Sequence, residues 1–433
     1  MDAQTTIATT ILLGSFFLLI LLGNKIIYAI GISTLITTLY LGIPVQSITQ
    51  NIVRGINSFS LMAVPFFILM GEIMRAGGIT KRLVKFANAL VGGFHGGLGM
   101  VNIVASTFFG GISGSPTADC TSIGAIMITM MEEAGYDTEF SAAVTMSSSI
   151  QSLLIPPSHL MVIYAMAAGG MSIGSLFLAG AVPGVSLGIG LMIYVYFVSL
   201  KRKYPVGDKF NIKSVFHTGM DAFLGLATVL IVVVGVVMGV FTATESAAIA
   251  CVYAFIITFF VYRELKVQQL KSMVFNCIKT ISIVLYLIGI STAFGWIIAY
   301  LRIPAKISDV LFSLTTNKFL VLILINIFLL MLGMIMDMTC IILIITPILL
   351  PIVIAVGMSP IHFGVVMMFN LGIGLITPPV GVILYVVSAI SKLDIESLTK
   401  ALGPFYLVMI IILLIVTFIP DLVMWLPSIL FKG

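Results

Sequence analysis

The sequence predicts an all-α polytopic membrane protein: an inverted repeat of about ten spans, two re-entrant hairpins and interfacial arm helices. Composition is the first observation. The 433 residues are 60% hydrophobic and 9% charged, with a mean hydropathy of +1.23, whereas a soluble domain carries about a quarter charged residues. The second is interruption. Apolar stretches are broken at Pro156-Pro157 and Pro378-Pro379, and at two polar segments, 110–120 and 333–339. The third is repetition at one offset: 378 − 156, 333 − 111 (Gly), 357 − 135 (Gly) and 339 − 117 (Thr) all equal 222.

In order along the chain, residues 5–23 and 26–42 read as spans, with Lys25 in a cytoplasmic turn and the N-terminus outside. Residues 44–57 are polar enough to rest at the interface. Residues 59–74 span again, with Pro65 and Glu72 inside the span. Arg75, Lys81, Arg82 and Lys85 then alternate with Leu83, Val84, Phe86 and Leu90, which predicts an amphipathic interfacial helix over 80–90. The glycine-rich run 92–99 is a flexible joint, and His95 within it reads as an interfacial loop residue. A hairpin over 98–131 leads to a polar turn at 131–139. Residues 140–169 form a span carrying Ser147, Ser148, Ser149 and Gln151 and broken by the double proline. Residues 176–200 return to the basic loop 201–213, the strongest cytoplasmic marker.

The second half has the same order of parts. Residues 224–240 and 247–262 span, ending at Arg263, Lys266 and Lys271. Residues 281–300 exit, 303–314 form a second interfacial helix, and 319–355 form a hairpin broken at 333–339. Residues 368–390 are a span broken by prolines, and 404–418 the last span. With both basic loops inside, the first hairpin enters from inside and the second from outside. This leaves Arg302, Lys306 and Lys318 outside, against the usual charge bias. The implied parts are a scaffold with its first arm (1–96), half a transport domain (97–169), a second scaffold part with its arm (170–317), the other half (318–390) and a terminal span (391–433).

The break at 110–120 concentrates chemistry. Ser113, Gly114, Ser115, Pro116, Thr117 and Asp119 bring hydroxyls, helix breakers and a carboxylate into an apolar region. Non-helical backbone at membrane depth is tolerated where it is buried in protein or lines a wet cavity, and an intramembrane acid marks function. Free carbonyls and a carboxylate suit a small hard cation; a serine/glycine-rich helix contact with a locally satisfied Asp119 is the alternative. At the 222 offset Ser115 falls on Asp337, whereas Asp119 falls on Ile341, so each half has one acid at unlike positions. The four cysteines lie in apolar segments without metal spacing and read as reduced packing residues. The first apolar run lacks a basic leader and reads as a retained span.

GISGSPTAD, the IPPS and TPPVG breaks, MDMT, and AGY and VGM in matching places resemble the large membrane subunit of the TRAP transporters (tripartite ATP-independent periplasmic transporters, DctM-like) over essentially the whole chain. Length and detail are most similar to sialic-acid-type members. The resemblance implies a sodium-coupled elevator in the bacterial inner membrane, moving a small organic acid, sialic acid first and a C4-dicarboxylate next. It implies about two co-transported sodium ions, a small four-helix membrane subunit as a separate chain, and a periplasmic binding protein that delivers substrate. Family sodium ligands match Ser113, Gly114, Ser115, Pro116 and Asp119, and at the second hairpin Gly333, Asp337, Thr339, Gly374, Thr377 and Pro378. Ser147, Ser148 and Ser149 are assigned to substrate carboxylate and hydroxyls, with helix–helix hydrogen bonding as the other use of the same residues. No GxxxxGK[ST] motif is present, which argues against nucleotide hydrolysis. Two other functions fit less of the pattern. One is a self-sufficient sodium/divalent-anion symporter. The other is an intramembrane aspartyl protease using Asp119 and Asp337, but Ala118 and Met336 precede those acids where some such proteases have glycine.

Overall fold

A computed structural model describes residues 3–207, 210–315 and 317–431. The expected basic loop 201–213 and the joint 315–318 therefore include residues 208, 209 and 316, which lie outside the described residues, as do 1, 2, 432 and 433 at the ends. Among the described residues every regular element is a helix, and the one β-bridge joins His95 to Val206. The first half opens with α1 (Ala3–Leu21), α2 (Ile26–Tyr40), α3 (Val45–Ile56), α4 (Ala63–Ala76) and α5 (Ile79–Val91). α6 (Gly97–Ser113) climbs to the first break. α7 (Pro116–Asp119), a π-helical turn at Cys120–Gly124 and α8 (Ala125–Glu133) run back. α9 (Thr138–Ser149), α10 (Gln151–Leu154) and α11 (His159–Ala167) make one span bent by 50° at the prolines. α12 (Ile173–Arg202) closes the half.

The second half comprises α13 (Ile212–Val237), α14 (Ala243–Ile256), α15 (Val267–Tyr300), α16 (Ile303–Leu314), α17 (Lys318–Gly333), α18 (Met338–Ala355), α19 (Pro360–Leu375), α20 (Val382–Ser391), α21 (Ile395–Phe418) and α22 (Pro420–Leu430). Among the described residues eight helices are long and apolar enough to cross a membrane, and the bent α9–α11 makes a ninth. The repeat register holds in three dimensions: 338 − 116, 360 − 138 and 395 − 173, the first residues of paired helices, all equal 222. One pair differs in form. Residues 45–76 are two helices, α3 and α4, whereas 267–298 belong to the single helix α15. Asn57 and Ser58, residue types that favour helix ends, stop α3; Lys279 and Thr280 stand at the equivalent places and the helix continues.

Several helices outrun the apolar stretches that announce them. The expected span 404–418 begins at Ile395, where Asp394 caps the helix by accepting from the Ser397 N–H (3.1 Å), and α22 follows it. Hydropathy falls away where a helix leaves the membrane, but its hydrogen-bond ladder does not stop there.

The inversion can be measured along α21. At one end Phe405 lies 6.0 Å, centroid to centroid, from Phe140 at the base of α9, where Asp137 pairs with Arg202 and accepts from the Tyr204 hydroxyl (2.6 Å). At the other end Phe418 lies 5.2 Å from Phe319 at the base of the second hairpin. Thirteen residues of helix (418 − 405) separate the two, about 20 Å, so the hairpins stand on opposite sides. α12 packs on α6, α9, α10, α11 and α19, and α21 on α9, α19 and α20. A second group of helices pairs α4 with α14, α3 with α15, α1 with α2 and α5 with α13.

Candidate functional site at the hairpin tips

At the first tip the chain needs a left-handed residue to leave α6, and Gly114 supplies it at φ +59°. Ser115 then caps the return helix, its Oγ accepting from the Ala118 N–H (3.3 Å), with Pro116 in the first turn. The Ser113 Oγ accepts from the Ser115 N–H (3.4 Å). The tip rests on the first double-proline break. A side-chain carbon at Gly114 would stand 3.1 Å from the Pro157 carbonyl and from Ser158, and one at Gly111 3.1 Å from the Pro156 carbonyl. Glycine is what allows the two breaks to touch.

One turn further, Asp119 is completely buried, and neither carboxylate oxygen accepts a hydrogen bond from any described residue. Buried polar groups are nearly always satisfied, and a buried unpaired charge costs several kcal/mol. The π-helical turn at Cys120–Gly124 directly follows this residue, a geometry often found at functional sites. The Ser122 and Ser158 hydroxyls are likewise buried without partners. This donor set, a carboxylate with hydroxyls at a helix break, fits a hard monovalent cation.

The second tip repeats the plan with different chemistry. Asp337, at the place of Ser115, is exposed and caps α18, its Oδ1 accepting from the Thr339 N–H (2.9 Å). Gly333 and Gly374 bring two backbones together: a side-chain carbon at Gly374 would stand 2.6 Å from the Gly333 backbone. The Val380 N–H donates to the Met334 carbonyl (3.1 Å), so the second tip also rests on its double-proline break, with Thr377 and Pro378 between. Thr377 turns its hydroxyl to the Ile373 carbonyl (2.6 Å). Both double prolines have a cis peptide bond.

The halves interlock around these tips. α11 packs on α18, and α20 on α7 and the turn after Asp119, as an inverted repeat requires. Ser147, Ser148 and Ser149 are wholly buried on α9, and their hydroxyls return to the backbone: Ser147 to Ala143 (2.7 Å), Ser148 to Thr145 (3.1 Å) and Ser149 to Met146 (2.8 Å). Ser148 also meets Ser106 (3.1 Å). Asn102–Thr145 (2.7 Å), Thr107–Gln151 (2.7 Å) and Asn370–Asn326 (2.9 Å) extend these polar links between hairpin arms and the broken spans. Asn102 and Ser106, four apart in an apolar helix, and Asn370 in another are signals that the sequence reading passed over.

Two further polar groups join the first tip. His159 follows the double-proline break, with its Nδ1 buried and unpartnered. It lines a cavity of about 480 Å³ together with Ser113, Ser115 and Thr117 and with Glu72 and Arg75 of α4, which pair with each other.

Residues 13–422 match the family described as "Tripartite ATP-independent periplasmic transporter, DctM component". An uncharacterized protein, YgiK, of Salmonella typhimurium is 39% identical, covering 99% of both chains. The sialic acid TRAP transporter large permease protein SiaM of Vibrio cholerae is 38% identical over 97% of both. The isethionate TRAP transporter permease protein DctMQ of Oleidesulfovibrio alaskensis is 39% identical over 96% of this chain and 66% of that protein. In fold alone the chain is similar to the Alcanivorax borkumensis YdaH transporter, with a TM-score of 0.63 and 14% identity over 86% of each chain. The relatives named for an activity are transporter permeases, which sets the protease alternative aside. With full-length relatives and a family match across both hairpins, the chain belongs to the TRAP transporter family as a large permease subunit, a multi-pass protein of the bacterial inner membrane.

Proposed function

We propose that this chain carries a small organic acid inward with sodium ions, about two per cycle, by an elevator movement. The observation that carries the proposal is Asp119, wholly buried with two oxygens that accept no hydrogen bond. A cation among the hydroxyls of the tip would offset the cost of that charge, and the free backbone ends of a broken helix supply further oxygen ligands. Asp337, Thr339 and the Gly374–Pro378 segment offer the second ion a comparable break, with Asp337 already engaged as a helix cap.

Sialic acid is the first substrate to test, because SiaM is one of the full-length relatives; isethionate and C4-dicarboxylates follow. The proposed partners are a small membrane subunit and a periplasmic binding protein, as the tripartite family description suggests. The moving body would comprise residues 97–169 and 318–390, and packing favours adding α21, which lies on α9, α19 and α20, and α12, which lies on α6, α9, α10, α11 and α19 as well as on α22 and α13. The Tyr406 hydroxyl of α21, which donates to the Ile376 carbonyl at the second break, supports that addition.

The test is uptake into proteoliposomes holding both membrane subunits, with loaded binding protein outside and an inward sodium gradient. Sodium-dependent accumulation of one acid is expected. Uptake that ignores the gradient would refute sodium coupling, and robust uptake of free substrate by this chain alone would favour a self-sufficient symporter.

A further inference from the structure

Two cavities that share Arg54 lie against α3 and α15: one of about 260 Å³ also walled by α11 and α18, and one of about 630 Å³ between α3 and α15 alone. Arg54 lines both and is the only charged side chain among the described residues of either wall. It is exposed and takes no part in an ion pair among the described residues. The cavity beside the first hairpin tip, by contrast, holds a carboxylate, Glu72, already paired with its own arginine.

A second observation points to a ligand at the same place. Ser291 lines the smaller cavity at 1% exposure, and its Oγ has no hydrogen-bond partner. Its neighbour Thr292 does what a helical hydroxyl usually does, donating to the Ile288 carbonyl (2.8 Å). Ser291 leaves its hydroxyl free. The amides of Gln50, Asn51 and Asn57 and the indole of Trp296 line the larger cavity. The wall thus offers a fork of guanidinium donors, neutral donors and a flat apolar ring, with no negative charge to repel an anion. Gly55 holds the arginine's helix close, since a side chain there would run into Thr292.

We propose that Arg54 and Ser291 form an oxyanion subsite that takes the carboxylate or sulfonate of the transported acid, with Trp296 against its carbon frame. This rests on the proposed uptake of an organic acid. An exposed guanidinium holds its partner more weakly than a buried one, which suits a subsite that must pass its ligand on.

The chain has two tryptophans, so Trp425→Phe leaves Trp296 as its single indole. The full-length chain carrying that change, in nanodiscs, is titrated with sialic acid, isethionate and succinate, and with glucose as an uncharged control. A saturable change in Trp296 fluorescence is expected for at least one acid and not for glucose. Affinity should fall at least tenfold with Arg54→Gln, and less with Arg54→Lys or Ser291→Ala. If no acid gives a saturable change, or Arg54→Gln titrates like its parent, the subsite is wrong. In the complete transport complex, Arg54→Gln should raise KM about tenfold while the maximal rate stays within twofold. Sodium-driven uptake with an unchanged KM would overturn the subsite and leave the uptake proposal standing. Arg54-dependent binding without sodium-driven uptake of any acid would do the reverse.

Discussion

Asp119→Asn keeps the shape of the side chain and one oxygen ligand while removing the charge. For a cation about 4 Å from the carboxylate, at an effective dielectric of about 20, that charge contributes about 4 kcal/mol. Each 1.4 kcal/mol is tenfold in affinity, so sodium should bind the variant roughly 10²–10³-fold more weakly. Two assays read this. In proteoliposomes the sodium concentration for half-maximal uptake should leave the working range, and uptake at ordinary sodium should be lost. In thermal unfolding, sodium at a hundred times the Kd of the Asp119 site stabilises the parent through that site by about 2.7 kcal/mol, and the same sodium should stabilise the variant less by about that amount, leaving only what the second site contributes. Without sodium the variant should be at least as stable as the parent, because an unpartnered buried carboxylate has gone. Loss of uptake through misfolding would show as a lower Tm in both conditions. A variant whose sodium dependence stays within threefold of the parent in both assays would mean that Asp119 acts as an uncharged group, and the coupling proposal would lose its main support.

Other substitutions separate structural from ionic roles. Asp337→Ala removes the α18 cap and should cost about 1 kcal/mol, whereas Asp337→Ser reproduces the cap that Ser115 makes; thermal unfolding should show recovery in the serine variant while sodium-dependent uptake stays low in both. Full uptake by Asp337→Ser would leave Asp337 as a cap alone. Gly374→Ala sets a methyl 2.6 Å from the Gly333 backbone and should destabilise by about 1–3 kcal/mol, while Gly403→Ala, with nothing within 4 Å, should be neutral or stabilising by up to about 1 kcal/mol. The Ser58 hydroxyl and the Met166 sulfur, on opposite sides of the proposed sliding surface, are 4.0 Å apart; cysteines at both positions should stop uptake when oxidised and restore it when reduced, and a fully cross-linked pair with normal uptake would refute the elevator.

The repeat is legible in the sequence because helix breakers are local. Pro156-Pro157 and Pro378-Pro379 end helices whatever surrounds them, and their offset of 222 is also the offset between first residues of paired helices. Which groups those breaks bring together is not local. Gly111 and Gly114 are small so that one break can lie on another, forty-odd residues on, and nothing in their own neighbourhood says so. Ser147, Ser148 and Ser149 read as ligands because three adjacent hydroxyls are conspicuous in an apolar span. In a helix each can also return to a carbonyl three or four residues back, and these do, which leaves the substrate assignment to be tested. For Asp119 the residues left open a locally satisfied carboxylate; only packing shows that neither oxygen is held by a described donor in hydrogen-bond geometry, although the Ser106 hydroxyl is near. Arg54 escaped notice because a lone arginine in an interfacial stretch is ordinary until cavities without carboxylates are seen beside it.

The two acids do unequal work, and the repeat shows why. Ser115 and Asp337 occupy one structural position and perform one task, accepting an N–H at the first turn of the return helix. A hydroxyl suffices for that task, so a carboxylate at 337 brings a charge that capping does not require. Asp119 has no such duty, and its counterpart in the other half is Ile341, wholly buried and apolar. Its charge is therefore free for a ligand, but in a closed environment where desolvation is costly. Asp337 is exposed, so water already meets part of its need and a cation there gains less. On the proposed mechanism the ion beside Asp119 is held more stringently than the ion beside Asp337, although the backbone frames are copies. The hairpins can exchange places as inner and outer gates by symmetry of fold, but not of binding energy. Asp119→Asn should accordingly shift the sodium dependence of uptake further than Asp337→Asn, which keeps both the cap and the side-chain shape; an equal shift in the two variants would refute the inequality.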